Sequence, residues 1–150
     1  MSDSNSITEQ EQAVLRRLAG SMISASEEFK IPGADDEVIF RKMLKNAEDV
    51  ELELRAGMED FFAEFGGIAA IATLDEAGFK ELMDIARKKH HSFLEMMMGL
   101  VARSYYEDPR ILVALNKEDR PPFPKGSALE QGDWSLLDPV KNRNPFFRDC

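Results

Sequence analysis

The side chains with the most chemistry to offer are two adjacent histidines, His90 and His91, the only two in the chain. On facing helices, a Glu-x-x-His pattern builds a carboxylate-bridged metal pair. Three residues before His90 stands Arg87, and three before His91 stands Lys88, so that ligand spacing is absent. A histidine acting as a base needs a nucleophile or an orienting acid within reach, and the sequence sets none beside either ring. The acids Glu48, Asp49, Glu51 and Glu53 invite a cation reading. At those steps on a helix they diverge around the axis, which makes them a solvated face. No phosphate loop, Gly-x-Gly-x-x-Gly, Gly-x-Ser-x-Gly or His-Glu-x-x-His pattern occurs. The expectation is a chain with no catalytic, cofactor-binding or metal-binding residue of its own.

Recognition is the better prospect. Met96, Met97 and Met98 are three soft, adaptable side chains in a row. On a helix they cannot share one core face, so at least one points elsewhere. Tyr105, Tyr106 and Trp134 are amphipathic aromatics of the kind enriched at interface hot spots.

These residues need elements to hold them. Thr8 and Glu11 form a capping box ahead of a helix that carries Val14, Leu15, Leu18 and Met22 on one stripe and is expected to run to about Ser24. Residues 26–33, with Pro32, read as a loop. From Asp35 and Asp36, acids that suit a helix N-terminus, apolar residues recur at Ile39, Met43, Ala47, Val50, Leu54, Met58, Phe61 and Phe65. That rhythm predicts one long helix or two nearly collinear ones, ending at Gly66-Gly67. Residues 68–72 read as a packed connector. Thr73 and Glu76 make a second capping box, and helical spacing then runs from Phe79 to Tyr105, with a break allowed near Lys88-Lys89. Asp108 as cap and Pro109 at the first helical position start a last short helix through Ile111, Leu112 and Leu115.

No stretch alternates with period two. The fold class expected is all-α: a bundle of four to five helices over 1–116, with a loose tail at 1–6, and an extended, proline-rich arm over 117–150. Five of the seven prolines fall in that arm, yet it also holds Phe123, Leu129, Trp134, Leu136, Leu137, Val140, Phe146 and Phe147. Proline excludes a continuous helix or central strand, and the apolar side chains need a surface to lie on. That surface is either the chain's own body or another protein.

Charge narrows the partner class. Residues 1–116 carry 22 acids against 13 bases, whereas 117–150 carry six of each, so the net charge of −9 belongs to the body. An acidic body disfavours nucleic acid and anionic membranes. The longest apolar run, Phe93 to Ala102, contains Glu95 and is half the length of a membrane span. Cys150 is the only cysteine, which excludes an intrachain disulfide. Arg16-Arg17 is followed by too short and polar a run for an export signal, so the expected compartment is the cytoplasm.

The run Tyr105-Tyr106-Glu107-Asp108-Pro109-Arg110, then Arg120-Pro121-Pro122-x-Pro124-Lys125-Gly126, then Asp133-Trp134-Ser135-Leu136-Leu137-Asp138-Pro139-Val140, closing on Pro145-Phe146-Phe147-Arg148-Asp149, resembles the gluconate 2-dehydrogenase subunit 3 family. A capped helix reaching Met22-Ile23 and the Pro32-Gly33 loop are similar too. The resemblance implies a non-catalytic small subunit that binds and stabilises a larger flavoprotein of glucose–methanol–choline type. That partner would hold the FAD and oxidise a sugar, sugar acid or polyol, with a cytochrome c as a frequent electron acceptor. Many members begin with a twin-arginine signal and carry the catalytic subunit out of the cytoplasm with them. This sequence departs from them there, which leaves periplasmic co-export on the partner's signal as the alternative. The residues expected to meet the partner are Tyr105, Tyr106, Arg120, Pro122, Phe123, Lys125, Trp134, Leu137, Phe146, Phe147 and Arg148. Phe123, Trp134, Leu137, Phe146 and Phe147 would be the anchors; Arg120, Lys125 and Arg148 would pair with carboxylates at the rim.

Overall fold

A computed structural model describes residues 7–118, 126, 132–141 and 143. Helices account for almost all the regular structure, and among the described residues the only β pairing is an isolated bridge between Ser26 and Ile31. The chain divides into two compact units, Met1–Arg120 and Pro121–Cys150.

In the first unit, α1 (Glu9–Met22) opens on the expected capping box. The Thr8 side chain accepts from the Glu11 amide, and the Glu11 carboxylate accepts from the Thr8 amide at 2.7 Å. The helix buries Val14, Leu15, Leu18 and Ala19. α2 (Glu37–Ala47) starts at Asp36, whose carboxylate accepts from the amides of Val38 and Ile39. The apolar rhythm that follows is divided. A 3-10 turn at Glu48–Val50 separates α2 from α3 (Glu51–Glu64), because Val50 leaves helical geometry at φ −132° and ψ 29°. Both helices still pack on α6 (His91–Tyr106), so the division keeps the buried stripe facing one neighbour.

Gly57 in α3 is required by packing. A Cβ there would lie 2.6 Å from the Phe93 ring, too close for any side chain, so this glycine permits α3 and α6 to meet. α3 stops at Gly66-Gly67, both in the left-handed region, with the Gly67 amide donating back to the Phe62 carbonyl at 2.7 Å.

The connector 68–72 is a short helix, α4 (Ile68–Ala72), with Ile71 fully buried. Its presence reassigns the next cap. The Thr73 hydroxyl donates to the Ala70 carbonyl at 2.9 Å, and Asp75, not Thr73, caps α5 (Glu76–Lys89) by accepting from the Gly78 amide at 2.8 Å. The break allowed near Lys88-Lys89 falls at His90, which ends α5 and precedes α6. α7 (Pro109–Ala114) has Asp108 as its cap and Pro109 in its first turn.

The core of this unit gathers Leu15, Leu18, Ile39, Met43, Leu54, Met58, Phe61, Ile71, Met97, Val101 and Ile111, all essentially inaccessible. Phe61 sits at its centre, with the rings of Phe65, Phe93 and His90 at 5.0, 5.2 and 5.5 Å. Such aromatic pairs add to what burial alone contributes.

In the second unit, residues 134–137 form a 3-10 turn and α8 spans Asp138–Lys141. Proline does not prevent this turn of helix, because Pro139 falls in the first turn of α8, where its missing amide proton has no helical acceptor. The arm is therefore locally helical at this point rather than extended.

Candidate partner-binding site

The sequence places the expected contact residues in two groups, one at the end of α6 and one in the C-terminal unit. In the first group, Tyr105 lies inside the core at 3% exposure and its hydroxyl donates to the Pro32 carbonyl at 2.9 Å. Burial raises its pKa, with Tyr106 and Asp108 adding to the effect. Its neighbour Tyr106 is 53% exposed and meets the Tyr105 ring edge-on at 5.5 Å. Of the two, only Tyr106 offers its ring to a partner.

Asp108 and Arg110 are also committed internally. The Arg110 guanidinium reaches Asp108 at 2.8 Å and Asp36 at 2.7 Å. One arginine therefore ties together the caps of α2 and α7, which are 72 residues apart in sequence. Its hydrogen bonds hold the Asp36 and Asp108 carboxyls below their ordinary value, and those two carboxylates in turn raise the guanidinium pKa. Alongside, the Lys42 ammonium pairs with Glu107 at 3.0 Å and depresses its pKa, helped by Arg103. Asn46 donates to the buried Ser104 hydroxyl at 2.9 Å, and Ser104 donates on to the Leu100 carbonyl. The Tyr-Tyr-Glu-Asp-Pro-Arg run is thus a clamp. It fixes the α6–α7 corner to the 32–36 loop and to α2.

In the second group, the Asp133 carboxylate accepts from the Ser135 amide at 3.0 Å and the Ser135 hydroxyl at 2.6 Å, which lowers its pKa. The turn so capped carries Trp134, Leu136, Leu137 and Val140 at 65, 75, 42 and 59% exposure. Four large apolar side chains in seven residues are solvent-accessible. Arg120, Pro122, Phe123, Lys125, Phe146, Phe147 and Arg148 lie outside the described residues.

His90 has its ring 5.5 Å from Phe61 and 5.8 Å from Phe65, and its Nε2 is buried without a hydrogen-bond partner among the described residues. It forms a joint between helices, and Glu64 is near enough to interact with it electrostatically. His91 is exposed and pairs with Glu95 at 3.1 Å. Of the four acids at residues 48–53, two are in ion pairs: Asp49 lies 3.7 Å from Arg103 at the surface, and Glu51 lies 3.4 Å from a part-buried Arg55. No cluster of three or more metal-ligating side chains forms among the described residues. The methionine triplet divides as its spacing requires, with Met97 buried and Met98 42% exposed. Met98 lines a cleft of about 310 Å³ together with Met22, Met83, Leu94, His91 and Glu95. No described helix is long and apolar enough to cross a membrane.

Comparison with protein-family models, with characterised proteins and with solved structures finds no match in any of the three. The functional reading therefore rests on this geometry and on the resemblance carried by residues 105–149.

Two features escaped the sequence reading. The Arg110–Asp36 tie joins distant loops, and no local pattern announces it. Phe29 at the tip of the 26–31 loop is 64% exposed. A lone aromatic in the polar run Ser-Glu-Glu-Phe-Lys was the available signal.

Proposed function

We propose that this chain is the non-catalytic small subunit of a flavin-dependent dehydrogenase. The partner is a glucose–methanol–choline-type flavoprotein that holds FAD and oxidises a sugar, sugar acid or polyol; this chain binds and stabilises it. A cytochrome c is a candidate electron acceptor for such a complex. The complex works in the cytoplasm, or in the periplasm if the partner supplies the export signal.

The observation that carries the reading is the contrast in how the motif residues are spent. Tyr105, Asp108 and Arg110 are satisfied within the body, whereas Trp134, Leu136, Leu137 and Val140 are exposed on one capped turn. Exposed apolar clusters of this kind mark protein–protein contacts, and a turn ordered in advance loses less entropy on docking. An obligate interface built around them would bury roughly 2,000 Å² or more. Phe123, Phe146 and Phe147 extend the anchor set, with Arg120, Lys125 and Arg148 as rim cations.

Co-expression with a candidate flavoprotein of this type from the same genome tests this. With the full chain, the flavoprotein is expected to be soluble and loaded with flavin; with residues 117–150 deleted, it is expected to aggregate. A soluble, flavin-loaded partner without the arm would overturn the role given to it.

A second reading, a stand-alone helical binding protein, is favoured by one fact: among the described residues, every buried apolar side chain of the core lies between Val14 and Ile111. The body has what it needs to fold alone. Sedimentation separates the two, since a monodisperse, cooperatively unfolding isolated chain supports the stand-alone protein.

A further inference from the structure

We propose that the loop from Ser26 to Ile31 is a second docking element, whose Phe29 ring enters an apolar pocket with a cationic rim on the partner protein. The inference rests on the small-subunit reading and deepens it, by assigning a contact to the helical body where only the C-terminal unit had one.

The loop is closed on itself. The Ser26 amide donates to the Ile31 carbonyl at 3.0 Å and the Ile31 amide returns to the Ser26 carbonyl at 3.1 Å. Inside this bridge the Lys30 amide donates to the Glu27 carbonyl at 3.2 Å, and the Phe29 amide meets the Ser26 hydroxyl at 3.4 Å. Lys30 is held at φ 52°, the left-handed region that a side chain other than glycine occupies at a cost.

Its base is tied down as firmly. The Ala34 amide donates to the Ile23 carbonyl at 2.8 Å, Tyr105 donates to Pro32, and Arg110 holds Asp36. Ile23 and Ile31, on either side of the loop, pack against the core.

On this anchored base Phe29 is 64% exposed. Single exposed apolar residues are ordinary and carry no meaning alone. This one differs in its setting. Tips of tight turns favour Gly, Asn, Asp and Ser, and nothing in the loop's own hydrogen bonding calls for an aromatic at position 29. A large ring held out on a doubly bridged, strained loop is preorganised for insertion, which lowers the entropic cost of binding. Aromatic residues, phenylalanine among them, are enriched at the buried centre of protein interfaces. Glu27 and Glu28 precede it, both exposed and neither in an ion pair among the described residues. Set on a body that carries the whole net charge of −9, they select a partner surface with lysine or arginine around the pocket.

The test uses the full chain and a candidate flavoprotein of the glucose–methanol–choline type from the same genome. Phe29→Ala is expected to weaken the complex by about tenfold or more, with the thermal midpoint of the isolated chain unchanged. Leu52→Ala, at a site 77% exposed on α3, is expected to stay within about twofold of wild type, as most non-hot-spot truncations do. Glu27→Lys with Glu28→Lys is expected to slow association at low salt, an effect that shrinks as salt is raised. A photoreactive benzoylphenylalanine at position 29 keeps the aromatic bulk and is expected to crosslink to the flavoprotein. If wild type binds while Phe29→Ala binds equally well and the position 29 probe gives no crosslink, the inference is overturned and the small-subunit reading stands. If wild type fails to bind the flavoprotein at all, both fall together.

Discussion

The corner at Tyr105–Ile111 and the turn at Asp133–Lys141 are written in similar residues and come to opposite ends. Each has an aromatic, an aspartate cap and a proline in the first turn of a short helix. In the corner, Tyr105, Asp108 and Ile111 are at 3, 5 and 1% exposure, and the Tyr105 hydroxyl, Glu107, Asp108 and Arg110 all have partners within the body. In the turn, Trp134, Leu136, Leu137 and Val140 are all exposed. The difference teaches that apolar content does not itself make a core. What matters is whether another element of the chain arrives with a matching face. The corner has α2 and the 32–36 loop; among the described residues of the C-terminal unit, no second element packs on the turn.

The comparison can be broken at the corner first. Tyr105→Ala removes a buried ring and its hydroxyl, and is expected to destabilise the isolated chain by about 3 kcal/mol, the cost of a large aromatic truncation in a core. Chemical denaturation measures it, and a loss under about 1 kcal/mol would mean the corner is not part of the cooperative core.

Next in size is Arg110→Met, which leaves Asp108 buried and Asp36 partly buried without their cation. The expected loss is about 2 kcal/mol at neutral pH, with the exposure of Arg110 moderating the figure. Both carboxyls are depressed in the folded state by Arg110. Their contribution is therefore complete above the ordinary carboxylate value of 3.8 and is lost as pH falls through the lowered folded values. The gap between wild type and variant should close on acidification through that window. A gap independent of pH down to the acid transition would show that packing, not charge, holds the corner.

Smaller still is Tyr105→Phe, which keeps the ring and leaves the Pro32 carbonyl without its donor. About 1 kcal/mol is expected, and hydrogen exchange of the Ser26 and Ile31 amides should speed up if Tyr105 anchors the loop base. Least of all is Trp134→Ala, expected to shift the stability of the isolated chain by no more than about 0.5 kcal/mol, as for exposed sites generally. Its effect belongs to the complex, where partner affinity should fall about tenfold or more. A large stability loss at Trp134 would erase the contrast with the corner.

The legible parts of the sequence were those whose causes are local. Thr8 with Glu11 and Asp108 with Pro109 mark their helix starts because a cap is satisfied within one turn of chain. Gly66-Gly67 marks an end for the same reason. Thr73 shows the limit. Its sequence context is a capping box, but once Ile68–Ala72 turns helical the Thr73 hydroxyl serves the Ala70 carbonyl, and Asp75 takes the cap. The 37–64 run was open to one helix or two, and its apolar spacing, which stays in register across Glu48–Val50, could not choose between them or place the break.

Among the candidate contact residues, the sequence named both tyrosines and could not separate them. Adjacent helical positions point about 100° apart, so one of the pair turns inward. Which one depends on where the Pro32 carbonyl stands. For Phe29 the polar run around it marks a loop, but whether its ring folds onto the core or stands out is set by the Ser26–Ile31 closure.

By itself, then, the order of residues determined an all-α chain, most helix starts and stops, the acidity of the body and the absence of recognised catalytic motifs. These follow from backbone capping, periodicity and charge, all readable over a few residues. Only tertiary structure decided that Gly57 must be glycine, that Arg110 reaches Asp36, that Tyr105 is spent on Pro32, and that Tyr106 and Phe29 face solvent. Each of those depends on two segments distant in sequence meeting in space. A side chain carries no record of which distant surface will arrive beside it.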